Sequence, residues 1–246
     1  MRTELFRLNE RLYLGLPDEP DAGVLCVDFN EPALQHRISR SLSSEALVKA
    51  MGQRPHPLST PHPLQSEELP RATSTHVIDA TAGLGLDAFI LACAGWHVTL
   101  IEQSTLIHAL LEDGIKRGLL CSDQESSTAQ LTRAALSRMY LCPVGSSLDI
   151  LPTLPEAHAI YLDPMFPDRE KSARVKKNRY LLQQLHGEEA SGNHLLPLAL
   201  TLTRKVVVKR PLRALPLENI KPSAAIKGKT SRFDIYAGSN NRLMIP

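Results

Sequence analysis

The sequence contains no CxxC pair: Cys26, Cys93, Cys121 and Cys142 stand far apart and lack the neighbouring histidines a zinc site needs. They read as reduced thiols, and no metal is expected. No uninterrupted apolar stretch approaches the ~20 residues of a membrane span, and Arg2, Glu4, Arg7, Glu10 and Arg11 break up the apolar core of a signal peptide. The expectation is a cytoplasmic protein without a membrane partner. A strong charge bias is missing too. With 28 Lys and Arg against 26 Asp and Glu, the formal net charge is +2, too small to argue for nucleic acid unless the basic residues cluster.

What is present suits one large domain carrying a small extension: 246 residues, 43% of them hydrophobic. Three parts are expected, a small N-terminal extension at 1–53, a proline-rich linker or loop at 54–70, and a main domain at 71–246. In the first, residues 11–16 and 24–29 read as strands and 43–51 as a helix. In the second, Pro55, Pro57, Pro61, Pro63 and Pro70 exclude helix or central strand; His56 and His62, in a near repeat of His-Pro-Leu, read as solvated residues. In the third, strand-like runs at 76–80 and 97–102 alternate with helical ones at 86–94 and 105–117. A helix at 126–139 and strands at 140–144, 159–163, 205–209 and 233–237 continue the series. The pattern predicts an α/β fold with a mostly parallel sheet and an antiparallel C-terminal strand.

Gly83 and Gly85 lie in the run Asp79-Ala80-Thr81-Ala82-Gly83-Leu84-Gly85, where a strand ends and a helix begins. Small residues there let a ligand approach the backbone, and the helix start presents unpaired N–H groups. Taken literally, GLGLDA at 83–88 matches the dinucleotide pattern GxGxxA, with Glu102 at about the distance of a ribose-binding carboxylate. Nicotinamide enzymes and class I methyltransferases share these needs, because both bind an adenosine ribose. Asp79 tilts the choice: a carboxylate in the turn opposes a pyrophosphate and suits an ammonium group.

The run Asp163-Pro164-Met165-Phe166-Pro167 follows an apolar strand, so its polar groups emerge at the carboxyl end of the sheet beside the glycine turn. It resembles the Asp/Asn-Pro-Pro-aromatic motif of enzymes that methylate exocyclic amino groups of nucleobases, with Met165 in place of the second proline. Such an amine is a poor nucleophile because its lone pair is spread into the ring, so its N–H groups must be held and oriented. Asp163 and the Pro164 carbonyl are suitable acceptors, and Phe166 can stack on an extruded base. Arg169, Lys171, Arg174, Lys176 and Lys177 follow at once. With Lys205, Lys209, Arg210, Lys227, Lys229 and Arg232 they form a candidate RNA phosphate track.

Three stretches together resemble the bacterial small-subunit ribosomal RNA guanine-N2 methyltransferase J family: VIDATAGLGLDAF at 77–89, YLDPMFPDREKSARVKK at 161–177, and VVVKRP at 206–211 with GKTSRFDIYAG at 228–238. The resemblance implies a class I, Rossmann-like methyltransferase fold with S-adenosyl-L-methionine as cofactor. It further implies methylation of the exocyclic N2 of one guanosine in 16S ribosomal RNA, presented as RNA or as the assembled subunit. The cofactor contacts it implies fall on Leu86 and Asp87, Glu102 and Gln103, Ser146 and Ser147, and Asp163. This chain departs from the family at Leu86, where arginine is usual, and at 38–44, which replace a glycine-rich stretch after His36-Arg37. Three alternatives stay open on the residues alone: an amino methyltransferase acting on another base or a protein side chain, a nicotinamide-dependent oxidoreductase, and an RNA-binding module without methyl transfer.

Overall fold

The structure, a computed structural model, describes residues 3–16, 23–52, 73–120, 127–164 and 194–239. Its centre is a seven-stranded sheet ordered β6-β5-β4-β7-β8-β10-β9. The strands are β4 (Thr73–Asp79), β5 (His97–Leu100), β6 (Met139–Leu141), β7 (Ala157–Leu162), β8 (Lys205–Pro211), β9 (Ala224–Lys227) and β10 (Ser231–Ala237). β5 is buried at every position and β7 at all but one. Such continuous apolar runs are what a parallel strand covered on both faces requires. β4 to β8 pair in parallel, whereas β10 runs antiparallel to both β8 and β9. The chain leaves β4 toward β5 on one side, and β7 and β8 fill the other. The carboxyl ends of β4 and β7 therefore flank the switch point, where open α/β sheets leave a crevice.

Helices α3 (Leu86–Cys93), α4 (Thr105–Leu120) and α5 (Ser127–Leu136) cover one face; α6 (Ser147–Ile150) and α7 (Leu195–Leu202) pack on the other. The first face is shared with the N-terminal residues. There β1 (Glu4–Leu8), β2 (Arg11–Gly15) and β3 (Val24–Leu25) form a separate antiparallel sheet, followed by α1 (Pro32–Ile38) and α2 (Ala46–Met51). Leu14, Leu25, Val27, Phe29, Leu47 and Met51 join Phe89, Leu111 and Val207 in one core. The Phe29 and Phe89 rings lie 4.9 Å apart. Gly114 of α4 admits Val27 so closely that a Cβ there would sit 2.5 Å from it. Each large apolar side chain buried in this way contributes about 1.5–3 kcal/mol, so the N-terminal residues help hold the sheet.

Several local expectations need correction. β1 was not anticipated, because its ELFRL sequence exposes all but one position; the turn into β2 is made by Asn9 and Glu10, both at positive φ, as a tight hairpin favours. The strand expected at 24–29 is only Val24–Leu25. The helix expected at 43–51 divides into a 3-10 turn, Leu42–Ser44, and α2, because Glu45 is extended. The helix expected at 126–139 stops at Leu136, and Met139 already belongs to β6. α1, α6, α7 and β9 are also additions; α7, LLPLALTL, is too uniformly apolar to show a helical period. The proline-rich stretch at 54–70 lies outside the described residues.

Candidate active site

At the end of β4 the chain turns back under its own hydrogen bonds. The Asp79 carboxylate is buried and accepts the Thr81 N–H at 3.1 Å, while the Ala82 N–H reaches the Ile101 carbonyl at 3.0 Å. Gly83 and Gly85 both have positive φ, +54° and +72°, yet they serve different ends. A Cβ on Gly85 would stand 2.6 Å from Leu111 Cδ1, so this glycine lets α4 pack against the turn. Among the described residues, a Cβ on Gly83 would meet only the Thr81 carbonyl, at 3.9 Å. The backbone at Gly83 is therefore open to an approaching ligand.

Glu102, buried just beyond β5, accepts the Gly83 N–H at 2.9 Å and the Ser104 N–H at 2.7 Å. Its carboxylate is thus held against the turn. Ser147 donates to the Ala80 carbonyl, and Ser146 caps α6 by accepting the Leu148 N–H at 3.2 Å. Both serines therefore border the same turn. Gln103 is exposed, and Leu86, on the first turn of α3, is 42% exposed.

The second half of the site is built by strand alternation. Side chains two apart share a face, so Tyr161 and Asp163 point toward α3, as do Val207 and Lys209 on β8; Tyr161 pairs in register with Val207. The next step along that face brings Asp163 and Lys209 together. Lys209 Nζ donates to Asp163 Oδ2 at 2.8 Å and to Asp87 Oδ2 at 2.7 Å, and the Tyr161 hydroxyl donates to Asp87 Oδ2 at 2.7 Å. Asp163 is fastened to the glycine turn as well, its N–H donating to Thr81 Oγ1 at 2.6 Å. The Asp163-Pro164 step and the turn thus form one constellation.

Electrostatics follow from this crowding. Burial lifts the Asp79 carboxyl to about 8; the Thr81 bond opposes this, and the charges of Asp87 and Asp163 add to it. Burial also penalises Asp87, but the Lys209 ammonium and the Tyr161 hydroxyl outweigh it and hold Asp87 below its ordinary value. For Lys209, burial is outweighed by the two carboxylates, which keep the ammonium charged far above neutral pH. Arg37 borders the site from the N-terminal side. It pairs with Glu45 at 2.9 Å, and that bond raises it first, with Asp87 and Tyr161 adding smaller contributions.

The structure separates two of the basic residues, Lys209 and Arg210, that the sequence placed on one RNA track. Lys209 faces the site, engaged by two carboxylates; Arg210, on the opposite face of β8, is only 8% exposed and donates from Nε to the Leu215 carbonyl at 3.0 Å. Lys205 donates to the Met51 carbonyl, and Arg232 pairs with Asp234. Neither Lys209 nor Arg210 belongs to an outward basic stripe as expected, since alternation along β8 turns one to the site and the other to the core. Phe166, Arg169, Lys171, Arg174, Lys176 and Lys177 lie outside the described residues. Thr81, Tyr161, Arg37 and Glu45 were missed. For Tyr161 the signal was available, because it stands two residues before Asp163 on the same strand.

A family model described as "Putative SAM-dependent methyltransferase" matches residues 1–238. The chain is 42% identical to the ribosomal RNA small subunit methyltransferase J of Thioalkalivibrio sulfidiphilus, over 92% of this chain and 80% of the relative. The protein of the same name from Escherichia coli is 38% identical over 94% and 84%. This chain belongs to the methyltransferase J family. A crystal structure of an S-adenosylmethionine-dependent methyltransferase from Neisseria gonorrhoeae agrees in fold, with a TM-score of 0.68 and 29% identity over 96% of this chain and 83% of that one. Family membership fixes the class I methyltransferase fold and S-adenosylmethionine as cofactor, and it removes the nicotinamide alternative. The residues present fit that cofactor. Gly83 leaves its backbone approachable, and Asp87 and Asp163 share one ammonium, a carboxylate wall suited to a cationic ligand and hostile to a diphosphate. Among the described residues no three His, Cys, Asp or Glu side chains group to hold a metal ion, and no helix is long and apolar enough to cross a membrane.

Proposed function

We propose that this methyltransferase J family member methylates the exocyclic N2 of a guanosine in small-subunit ribosomal RNA, acting in the bacterial cytoplasm. The observation that carries the proposal is the fastening of Asp163 to the glycine turn through Thr81, which sets a substrate-type carboxylate beside the cofactor loop. The names of the relatives support ribosomal RNA as the substrate.

S-adenosylmethionine, when bound, would supply an electrophilic methyl group, with the thioether as leaving group retaining the electron pair of the broken S–C bond. Glu102 and Gln103 hold the ribose end, and Ser146 and Ser147 border the adenine or methionine portion. Leu86 contributes its backbone, and Asp87 adds negative charge on the methionine side. Asp163 and the Pro164 carbonyl accept hydrogen bonds from the target amine, aiming its lone pair, and Asp163 takes the proton the nitrogen sheds. Phe166 stacks on the base, while Arg169, Lys171, Arg174, Lys176 and Lys177 contact phosphates.

The test uses 30S subunits and naked RNA from a strain lacking the gene, incubated with labelled cofactor and digested to nucleosides. Wild-type protein should yield N2-methylguanosine, and Asp163→Ala should lower the rate by at least about 100-fold. Label appearing in N6-methyladenosine or in ribosomal protein would move the substrate elsewhere. Equal rates for Asp163→Ala and wild type would remove Asp163 from the chemistry.

A further inference from the structure

We propose that Lys209 is a positioning residue for methyl transfer: it fixes the Asp163 carboxylate in the orientation that receives the target amine. The inference rests on the proposed role of Asp163 and goes beyond it.

The Lys209 ammonium sits between two carboxylates, 2.7 Å from Asp87 Oδ2 and 2.8 Å from Asp163 Oδ2, and spends two of its three N–H donors on them. Asp163 stands at the mouth of the site, just past the end of β7, whereas Asp87 belongs to the first turn of α3. The ammonium therefore ties a substrate-side carboxylate to a cofactor-side one. Without it, Asp87 and Asp163 would repel each other, and the Asp163 side chain would lose a charge-assisted bond that selects its rotamer. The backbone of Asp163 is already held by Thr81, and Lys209 adds a charge-assisted constraint on the side chain. A phosphate ligand would have to compete with two carboxylates already paired to the ammonium. The β-sheet enforces the arrangement, because the Tyr161–Val207 pairing brings Lys209 level with Asp163.

The experiment compares wild type, Lys209→Met, Lys209→Arg, Asp163→Asn and the double variant Lys209→Met with Asp163→Asn, as full-length proteins on unmodified subunits. Loss of Asp163 aim should lower kcat by about 100-fold in Lys209→Met while KM for RNA moves less than about threefold. Arginine, which also bridges two carboxylates, should recover at least about tenfold of that loss. The double variant should be no slower than Asp163→Asn alone, since both changes act through one group. Stabilisation of each variant by S-adenosylhomocysteine in thermal melting reports an intact cofactor site independently of turnover. If Lys209→Met fails that check, Lys209→Gln takes its place under the same criteria.

Lys209→Met with unchanged kcat, a raised KM for RNA, and a salt slope of binding shallower by about one would make Lys209 a phosphate ligand and overturn the proposal. Multiplying losses in the double variant would overturn it as well. An inactive wild type on every RNA substrate would instead defeat the functional proposal on which this one rests.

Discussion

The two halves of the site are built by different means. The glycine turn is local in sequence: Asp79, Thr81, Gly83 and Gly85 lie within one stretch, which bonds between near neighbours shape and which Ile101, Glu102, Ser147 and Asp163 tie to the rest of the fold. The carboxylate half is assembled from β7, β8 and α3, whose residues Asp163, Lys209 and Asp87 are far apart in the chain and meet only when the sheet is in register. The glycines and Glu102 of the local half suit an adenosine-containing ligand, whereas the assembled half brings together the carboxylates to which the proposed function assigns the target amine. The carboxylate half therefore depends on strand pairing more than the loop does.

The largest test of this contrast is within the turn itself. Gly85→Ala forces a side chain onto a left-handed residue and into Leu111, and should cost about 3 kcal/mol of unfolding free energy in denaturant titration. Gly83→Ala meets only open space and should cost about 1 kcal/mol, yet weaken S-adenosylhomocysteine by at least about tenfold in calorimetry, because its methyl projects where the ligand approaches. Similar stability losses in the two variants would mean that Gly83 is also a packing glycine and that the turn has no open side.

How much could be read in advance follows the same division. The glycine turn, Glu102 and the Asp163-Pro164 step were legible because each is a short motif at a strand end. The Lys209 link was not. Both its residue type and its basic neighbour Arg210 invited a surface role, and only the β7–β8 register reveals that one faces carboxylates and the other the core. The main alternation of strands and helices was legible from apolar periodicity. β1 and α7 were not, the first being too polar and the second too apolar to carry a period. Arg37 is recognisable with His36 as a family landmark, but its place near Asp87 is not, since that depends on how the N-terminal residues pack.

A smaller effect should come from Asp79. The folded protein keeps its proton up to about pH 8, whereas the unfolded chain releases it near the ordinary value of 3.8. Folding therefore retains a proton throughout that window, and this group's contribution to stability falls as pH rises through it. Asp79→Asn keeps the acceptor for the Thr81 N–H and removes the titration. The melting temperature of the apo wild type should drop relative to Asp79→Asn between about pH 5 and about pH 8.5. Parallel curves would mean that Asp79 ionises at its ordinary value and adds a full negative charge to the wall formed with Asp87 and Asp163.

The smallest effect is expected at Tyr161, and it discriminates most sharply between the two sides of the carboxylate half. Its hydroxyl donates only to Asp87, on the cofactor side, whereas Lys209 reaches Asp87 and Asp163 together. Tyr161→Phe removes one hydrogen bond to a charged group but leaves Asp87 its ammonium partner, so the cost should stay near about 1 kcal/mol. The ring remains to fill its buried position. S-adenosylhomocysteine affinity should change by about threefold or less, and kcat should remain within about threefold of wild type. A fall in kcat as deep as that of Lys209→Met would locate the decisive contact at Asp87. The ammonium would then act by placing the cofactor, and aiming of the amine by Asp163 would no longer explain its position.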